Sequence, residues 1–304
     1  MRRGLEWKGP GPELVLRSED PEHPATLAGA LEVAAPQWST PSDRVTAQLP
    51  ESARGHVWTL TLHANELSGW SGGLSGPVHS GHAVTVVAAR SQVRVGEREL
   101  ALARWPDEGF AEIGALLDSG SAPRNAEDDI PLAQRKVEPA RGARFVPRDA
   151  ERSRRWSGVE GAWAHGYWNW DWSDEVLPIA SVAEDGEVRL ALPHRYGVAE
   201  RGRFAVLNLL AELDRPGECV VDAQRGEIHA WLEPAQLAQP VTFTLLAQPL
   251  LAIDKAVDVR IESLHFAESR AAAIVARDVT GLQVEDCQFE GLGTNAVDVE
   301  GGRA

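Results

Sequence analysis

VRIESLHF (259–266) and LQVEDCQF (282–289) begin twenty-three residues apart, with Phe266 and Phe289 in the same relative place. AAAIVARD (271–278) and NAVDVEGG (295–302) follow them at nearly the same offset. Short apolar runs at a period of roughly 20–25 residues, joined by turns rather than helices, are what the coils of a parallel β-helix require. The spacing turns Val259, Ile261 and Leu264 inward in one coil, and Leu282, Val284 and Cys287 inward in the next. Both coils break alternation at the same point, between Ile261 and Leu264 and between Val284 and Cys287, as if each strand bends there onto a new face. VTFTLLAQPLLAIDKAVDV (241–259) can supply further strands. A leucine-rich repeat would need denser leucines and an asparagine ladder, and the sequence has neither.

The expected fold is therefore all-β, a parallel β-helix solenoid. Its last coil, with no cap after Gly302, reads as truncated at the C-terminus and as an open edge for self-association. Working outward, residues 241–304 are the start of the coils, 91–240 a β-hairpin-rich inserted region, and 1–90 an N-terminal β region with incomplete first coils. Within the insert, Asp185-Gly186 and Arg225-Gly226 mark hairpin turns. AEIGALLDSG (111–120) and NLLAELD (208–214) read as short helices. The glycine-rich stretch SGWSGGLSGPVHSG (68–81) lacks the GxGxxG spacing of a nucleotide loop.

The net charge of -15 argues against nucleic acid and against an anionic membrane surface as partners. No run approaches the roughly 18 apolar residues of a membrane span. MRRGLEWKGP has a basic start but no apolar stretch, so it is not a signal peptide. The expected location is open, extracellular or periplasmic if a missing N-terminus carries such a signal. Two cysteines, Cys219 and Cys287, form no disulfide framework and lie in no metal or redox spacing. No metal and no cofactor is expected.

Five of the eleven tryptophans lie between Trp156 and Trp172. Trp168, Trp170 and Trp172 alternate with Asn169 and Asp171, so on a strand their rings would share one face. Two readings of that face are open. It is a carbohydrate platform completed by Asp171, or it packs into a core or a domain interface.

LARWPDEGF (102–110), the tryptophan run ending in DWSDE, and LNLLAELDRPGECVVDAQRGEIHAWLEP (207–234) together resemble the N-terminal part of a broad group of right-handed parallel β-helix proteins. The resemblance covers roughly residues 90–302. It is most specific at Asn208, Glu212, Leu213, Asp214, Pro216, Gly217, Glu218, Asp222, Gly226 and Trp231, and Cys219 departs from it where an aromatic residue is usual. Many of that group are extracellular and several relatives are glycoside hydrolases or polysaccharide lyases. The resemblance thus implies a right-handed coil and a polysaccharide or oligosaccharide partner.

Glycoside hydrolysis needs two carboxyl groups, about 5 Å apart for retention of configuration and about 6.5–9.5 Å for inversion. By the coil offset Glu262 stacks on Glu285 at roughly the 4.8 Å strand spacing, a candidate retaining pair. These acids are equally well read as solvated positions between core residues. Stacked acids also invite calcium, but no loop with calcium-ligand spacing is present. His165, inside the tryptophan run, is a candidate general base, with a structural hydrogen-bonding role as the other reading.

Overall fold

The computed structural model describes residues 4–9, 13–63, 67, 91–123 and 139–302. The glycine-rich stretch at 68–81 lies outside the described residues. The chain opens with β1 (Leu5–Lys8), β2 (Leu14–Arg17), β3 (Ala25–Ala28) and β4 (Ala30–Val33), then a short helix α1 (Asp43–Thr46). Next come β5 (Val57–Thr61), β6 (Val93–Val95), β7 (Arg98–Leu102), β8 (Arg104–Trp105), β9 (Ala111–Asp118), β10 (Arg144–Pro147) and the helix α2 (Ala150–Arg154). After them follow β11 (Trp163–Tyr167), β12 (Asp174–Val182), β13 (Val188–Leu190), β14 (Arg203–Leu207), β15 (Glu218–Asp222), β16 (Glu227–Trp231) and β17 (Val241–Thr244). The last stretch holds β18 (Leu251–Asp254), β19 (Val257–Glu262), β20 (Leu264–Ser269), β21 (Ile274–Arg277), β22 (Thr280–Glu285), β23 (Gln288–Leu292) and β24 (Val297–Glu300).

These strands make three assemblies. Six close into an antiparallel barrel in the order β11-β12-β13-β10-β9-β14, with β14 returning to β11. Its interior is filled by Phe145, Trp168 and Phe204, fully buried and packed ring on ring. Large rings inside a small barrel need small neighbours. Gly166 supplies one, since a Cβ there would come within 2.6 Å of the Trp168 ring. A second sheet, β4-β17-β6-β7-β15-β16-β5, is antiparallel except for β7 with β15, and curls as a half-barrel over Val93, Val95, Leu100, Ile228 and Phe243.

The third assembly is parallel. β1-β18-β21-β24, β2-β19-β22 and β3-β20-β23 form three short sheets around a shared core of Ile253, Val259, Ile261, Leu264, Phe266 and Ile274. Phe266 and Phe289 stack at 5.4 Å with planes 8° apart. Alternation breaks where the chain turns a corner through a left-handed residue, Ser263 at φ 52° and Asp286 at φ 51°. Only a few non-glycine side chains tolerate that region, and polar ones tolerate it best.

The expectation of a right-handed parallel β-helix as the fold is therefore corrected. A closed antiparallel barrel and a half-barrel take up most of the described chain, and the parallel sheets are not a single solenoid. Local periodicity found the parallel strands but carried no information on the long-range antiparallel closures. AEIGALLDSG is also corrected: it is strand β9, held between β10 and β14, whose pairing overrides its helix-forming composition. NLLAELD contributes only a single 3-10 turn, Leu210–Glu212. Among the described residues no helix is long and apolar enough to cross a membrane.

Candidate functional site

The hairpin of β15 and β16 sets the geometry of the candidate site. Its register places Asp222 directly opposite Glu227 and Val220 opposite His229. Glu227 and His229 are two residues apart on one strand and so face the same side. Two carboxylates directly across a strand pair repel each other unless something neutralises them. Arg44 on α1 brings Nη2 to 3.4 Å from Asp222 Oδ2 and 3.7 Å from Glu227 Oε2. Arg225, in the turn itself, donates to Asp222 Oδ2 at 2.9 Å and stands 3.5 Å from Glu160 Oε2.

Arg44, Glu160, Asp222, Arg225 and His229 line an open cleft of about 400 Å³ between the half-barrel and the barrel. Trp163 of β11 and Asn208, just beyond β14, form its barrel side, with Gln48 and Gln224 at the rim. Asn208 fixes the join: its Nδ2 donates to the carbonyls of Gly161 (2.9 Å) and Val221 (3.0 Å), and its Oδ1 accepts from the Val221 N–H at 2.7 Å. A second depression of about 370 Å³, lined by Arg152, Trp156 and Asp214, shares Gln48, Val159 and Leu210 with the first.

Protonation follows from burial and partners. Burial alone would raise the Asp222 carboxyl, but the side-chain and backbone hydrogen bonds from Arg225, with the charges of Arg225 and Arg44, outweigh it and hold Asp222 below its usual range. His229 is pushed down to about 4 by burial, against the attraction of Asp222, and so is neutral at pH 7. Beyond the cleft, Asp107, Asp214 and Glu218 bring carboxyl oxygens within 4.8 Å of one another. Burial drives Glu218 up to about 7, opposed by hydrogen bonds from the Asp214 and Arg215 N–H groups and reinforced by the charges of Asp214 and Asp107. His194, whose Nδ1 donates to the Gly197 carbonyl at 2.8 Å, is pushed down to about 4 by burial.

Glu218 and His194 predict opposite pH responses. The unfolded chain protonates His194 near 6.5 and the folded protein only near 4, so the stability tied to its neutral form is present above 6.5 and lost as pH falls towards 4. Glu218 keeps a proton in the fold that the unfolded chain releases near 4.5, so its contribution is present below 4.5 and lost as pH rises through 7. Urea midpoints of His194→Gln should therefore approach wild type as pH falls from 6.5 to 4. Those of Glu218→Gln should gain on wild type as pH rises from 4.5 to 7. Parallel pH curves for variants and wild type would refute both assignments.

The residues singled out in the sequence are dispersed. Trp168 is fully buried in the barrel, donating Nε1 to the Glu175 carbonyl at 2.8 Å. The shared face expected for Trp168, Trp170 and Trp172 is thus corrected, because the chain leaves β11 at Tyr167 and turns, so the strand alternation never applies. Trp170 and Trp172, 43% and 52% exposed, sit at that hairpin tip, with Arg201 over the Trp170 ring at 4.8 Å and Tyr196 edge-on to Trp172 at 5.4 Å. Asp171 lies between them and pairs with Arg203 at 2.8 Å. His165 is on the outer face of the barrel, with Nε2 2.9 Å from Asp174 Oδ2 and its ring edge-on to Phe110. Glu262 and Glu285 are register partners on β19 and β22, as the offset requires, with Arg17 opposite Glu262 on the other side. They belong to the parallel sheets, remote in the topology from the hairpin of β15 and β16.

Sequence reasoning passed over Arg44, Glu160, Glu227 and His229. A usable signal was present: an Arg225-Gly226 turn with Asp222 before it and Glu227 and His229 alternating after it dictates the cross-strand cluster.

No family model matches this chain, and no curated protein matches it. Among solved structures, a protein titled "Glycoside hydrolase" superposes with a TM-score of 0.55 at 13% identity, covering 93% of this chain and 50% of that one. The likeness is one of fold, and the chain spans about half the length of that neighbour.

Proposed function

We propose that this chain is a carbohydrate-active protein that binds a saccharide in the cleft between barrel and half-barrel. The observation that carries the reading is the lining. A cleft of about 400 Å³ presents carboxylates, guanidinium groups and side-chain amides beside the Trp163 ring. Hydroxyl groups need fixed donors and acceptors, the apolar faces of sugar rings need an aromatic surface, and the volume suits a small ligand. The fold shared with a protein titled glycoside hydrolase supports the same reading.

A second reading has its own observation. The exposed Trp170 and Trp172 rings at the hairpin tip form a surface for non-catalytic glycan contact. Calorimetric titration with a panel of neutral and uronate oligosaccharides separates the two. Charged hydrogen bonds contribute about 1.5–3 kcal/mol, so Asp222→Asn and Arg225→Ala should each weaken binding by tenfold or more while Trp170→Ala leaves it intact. Binding lost in Trp170→Ala and Trp172→Ala but kept in Asp222→Asn would transfer the function to the tip. Binding of no member of the panel would reject both. Reducing-end release in the same incubations, abolished in Asp222→Asn, would assign cleavage to the cleft as well.

A further inference from the structure

We propose that Asp222, Glu227 and His229 form a binding site for a divalent transition-metal ion, Zn²⁺ being the best fit, at the inner corner of the cleft. The proposal is independent of the saccharide reading. Ligand atoms of the three residues lie within 4.8 Å of one another. Around a single zinc ion, bonds of roughly 2.0–2.2 Å place ligand atoms about 3.3 Å apart, so small side-chain rotations complete the site.

The second, independent observation is the state of His229. Its side chain is fully buried and its Nε2 has no hydrogen-bond partner, although it faces Glu227 Oε2 at 3.5 Å. The other ring nitrogen, Nδ1, lies 3.0 Å from Thr59 Oγ1. Donation from Nδ1–H to that hydroxyl leaves the Nε2 lone pair aimed at a carboxylate, an arrangement that favours a cation between them. Orientation of a ligating histidine through its second nitrogen is the usual support for a metal ligand. One imidazole and two carboxylates suit a first-row transition metal, whereas Ca²⁺ calls for six to eight oxygens. Three protein ligands leave a coordination position open towards the cleft.

The other charged groups that face this corner are Arg44, Arg225 and Glu160. Both arginine side chains are about two-fifths exposed, at 41% and 40%, so neither is locked in place. Arg225 already reaches Glu160 and can transfer its charge there when a metal takes Asp222. Arg44 then competes with the metal for both carboxylates.

Zinc titration of the full chain, tag-free and chelator-treated, tests this at pH 7.5 without sugar present. Wild type should bind Zn²⁺ at a saturable site that excess Ca²⁺ does not block. Glu227→Gln, at a side chain that is 25% exposed and changed only from carboxylate to amide, should weaken that binding by tenfold or more, as should His229→Gln. Arg44→Ala should tighten it, because a competing cation is gone, and a merely structural cluster would not respond so. Failure of wild type to bind, equal binding in wild type and Glu227→Gln, or weaker binding in Arg44→Ala would each overturn the proposal. Saccharide binding measured with chelator present then stands or falls separately.

Discussion

Glu212→Ala is expected to lower the unfolding free energy by about 3–5 kcal/mol, the range for removing one partner of a buried ion pair. Glu212 is fully buried. Its carboxylate accepts from Arg152 Nε at 3.0 and 3.1 Å and from Arg152 Nη2, and also from Trp156 Nε1 at 2.6 Å. Alanine leaves a mostly buried guanidinium and a buried indole N–H without this acceptor, and among the described residues Asp214 Oδ2, 3.6 Å from Arg152 Nη2, is the carboxylate left to it within ion-pair distance. The effect should reach beyond stability. Arg152 belongs to α2 and Trp156 follows it, and both line the second depression, so α2 should detach before the barrel unfolds. Urea unfolding supplies the free energy, and amide exchange over residues 150–157 supplies the order of events. Glu212→Gln retains one acceptor and should lose less. A loss below about 1 kcal/mol in the alanine variant would mean that the network is not a stabilising feature.

Asn208→Ala should come close behind, at roughly 3–4 kcal/mol, from two causes that can be separated. The side chain satisfies three backbone groups on two other segments, and an unsatisfied buried group costs about 1–3 kcal/mol. Asn208 also sits at φ 64°, where a Cβ without a local hydrogen bond costs about 1–2 kcal/mol. Asn208→Gly suffers the first loss but escapes the second, so it should be the milder variant by about 1 kcal/mol. Thermal unfolding of the two variants side by side measures this. An equal loss in both would show that the backbone conformation contributes nothing.

What was legible in the sequence follows the range of the interactions. The inward set Val259, Ile261 and Leu264, and the register of Glu262 with Glu285, come from a repeat that needs only neighbouring coils. The Asp185-Gly186 and Arg225-Gly226 hairpins come from turn chemistry alone. The barrel escaped because its closure pairs Trp163 with Leu207, a contact between alternating runs that no local pattern distinguishes from any other. The tryptophans misled for a related reason. Strand alternation was extended one residue too far, past Tyr167, and Trp168 folds back over Gly166 to fill the barrel. The cleft needed both kinds of information, a readable hairpin and an unreadable approach of α1 and the 158–161 loop.

Ala30 on β4 pairs with Thr244 on β17, and the N–H groups of Leu245 and Leu246 both bond to the Gly29 carbonyl, at 3.0 and 2.9 Å. The chain thus leaves the parallel sheets and returns to them at a single point. During synthesis β1, β2 and β3 emerge about 240 residues ahead of the strands they pair with, a wait of about 12–48 s at roughly 5–20 residues per second. Bare strand edges exposed for that long are open to pairing with other chains. The barrel and half-barrel fill the interval, and β4 against β17 acts as the clasp that ends it. Once that clasp is shut, β18 arrives beside β1 already tethered, and a closure over the whole insert becomes one over a few residues. Translation order makes the antiparallel region the chaperone of the parallel one.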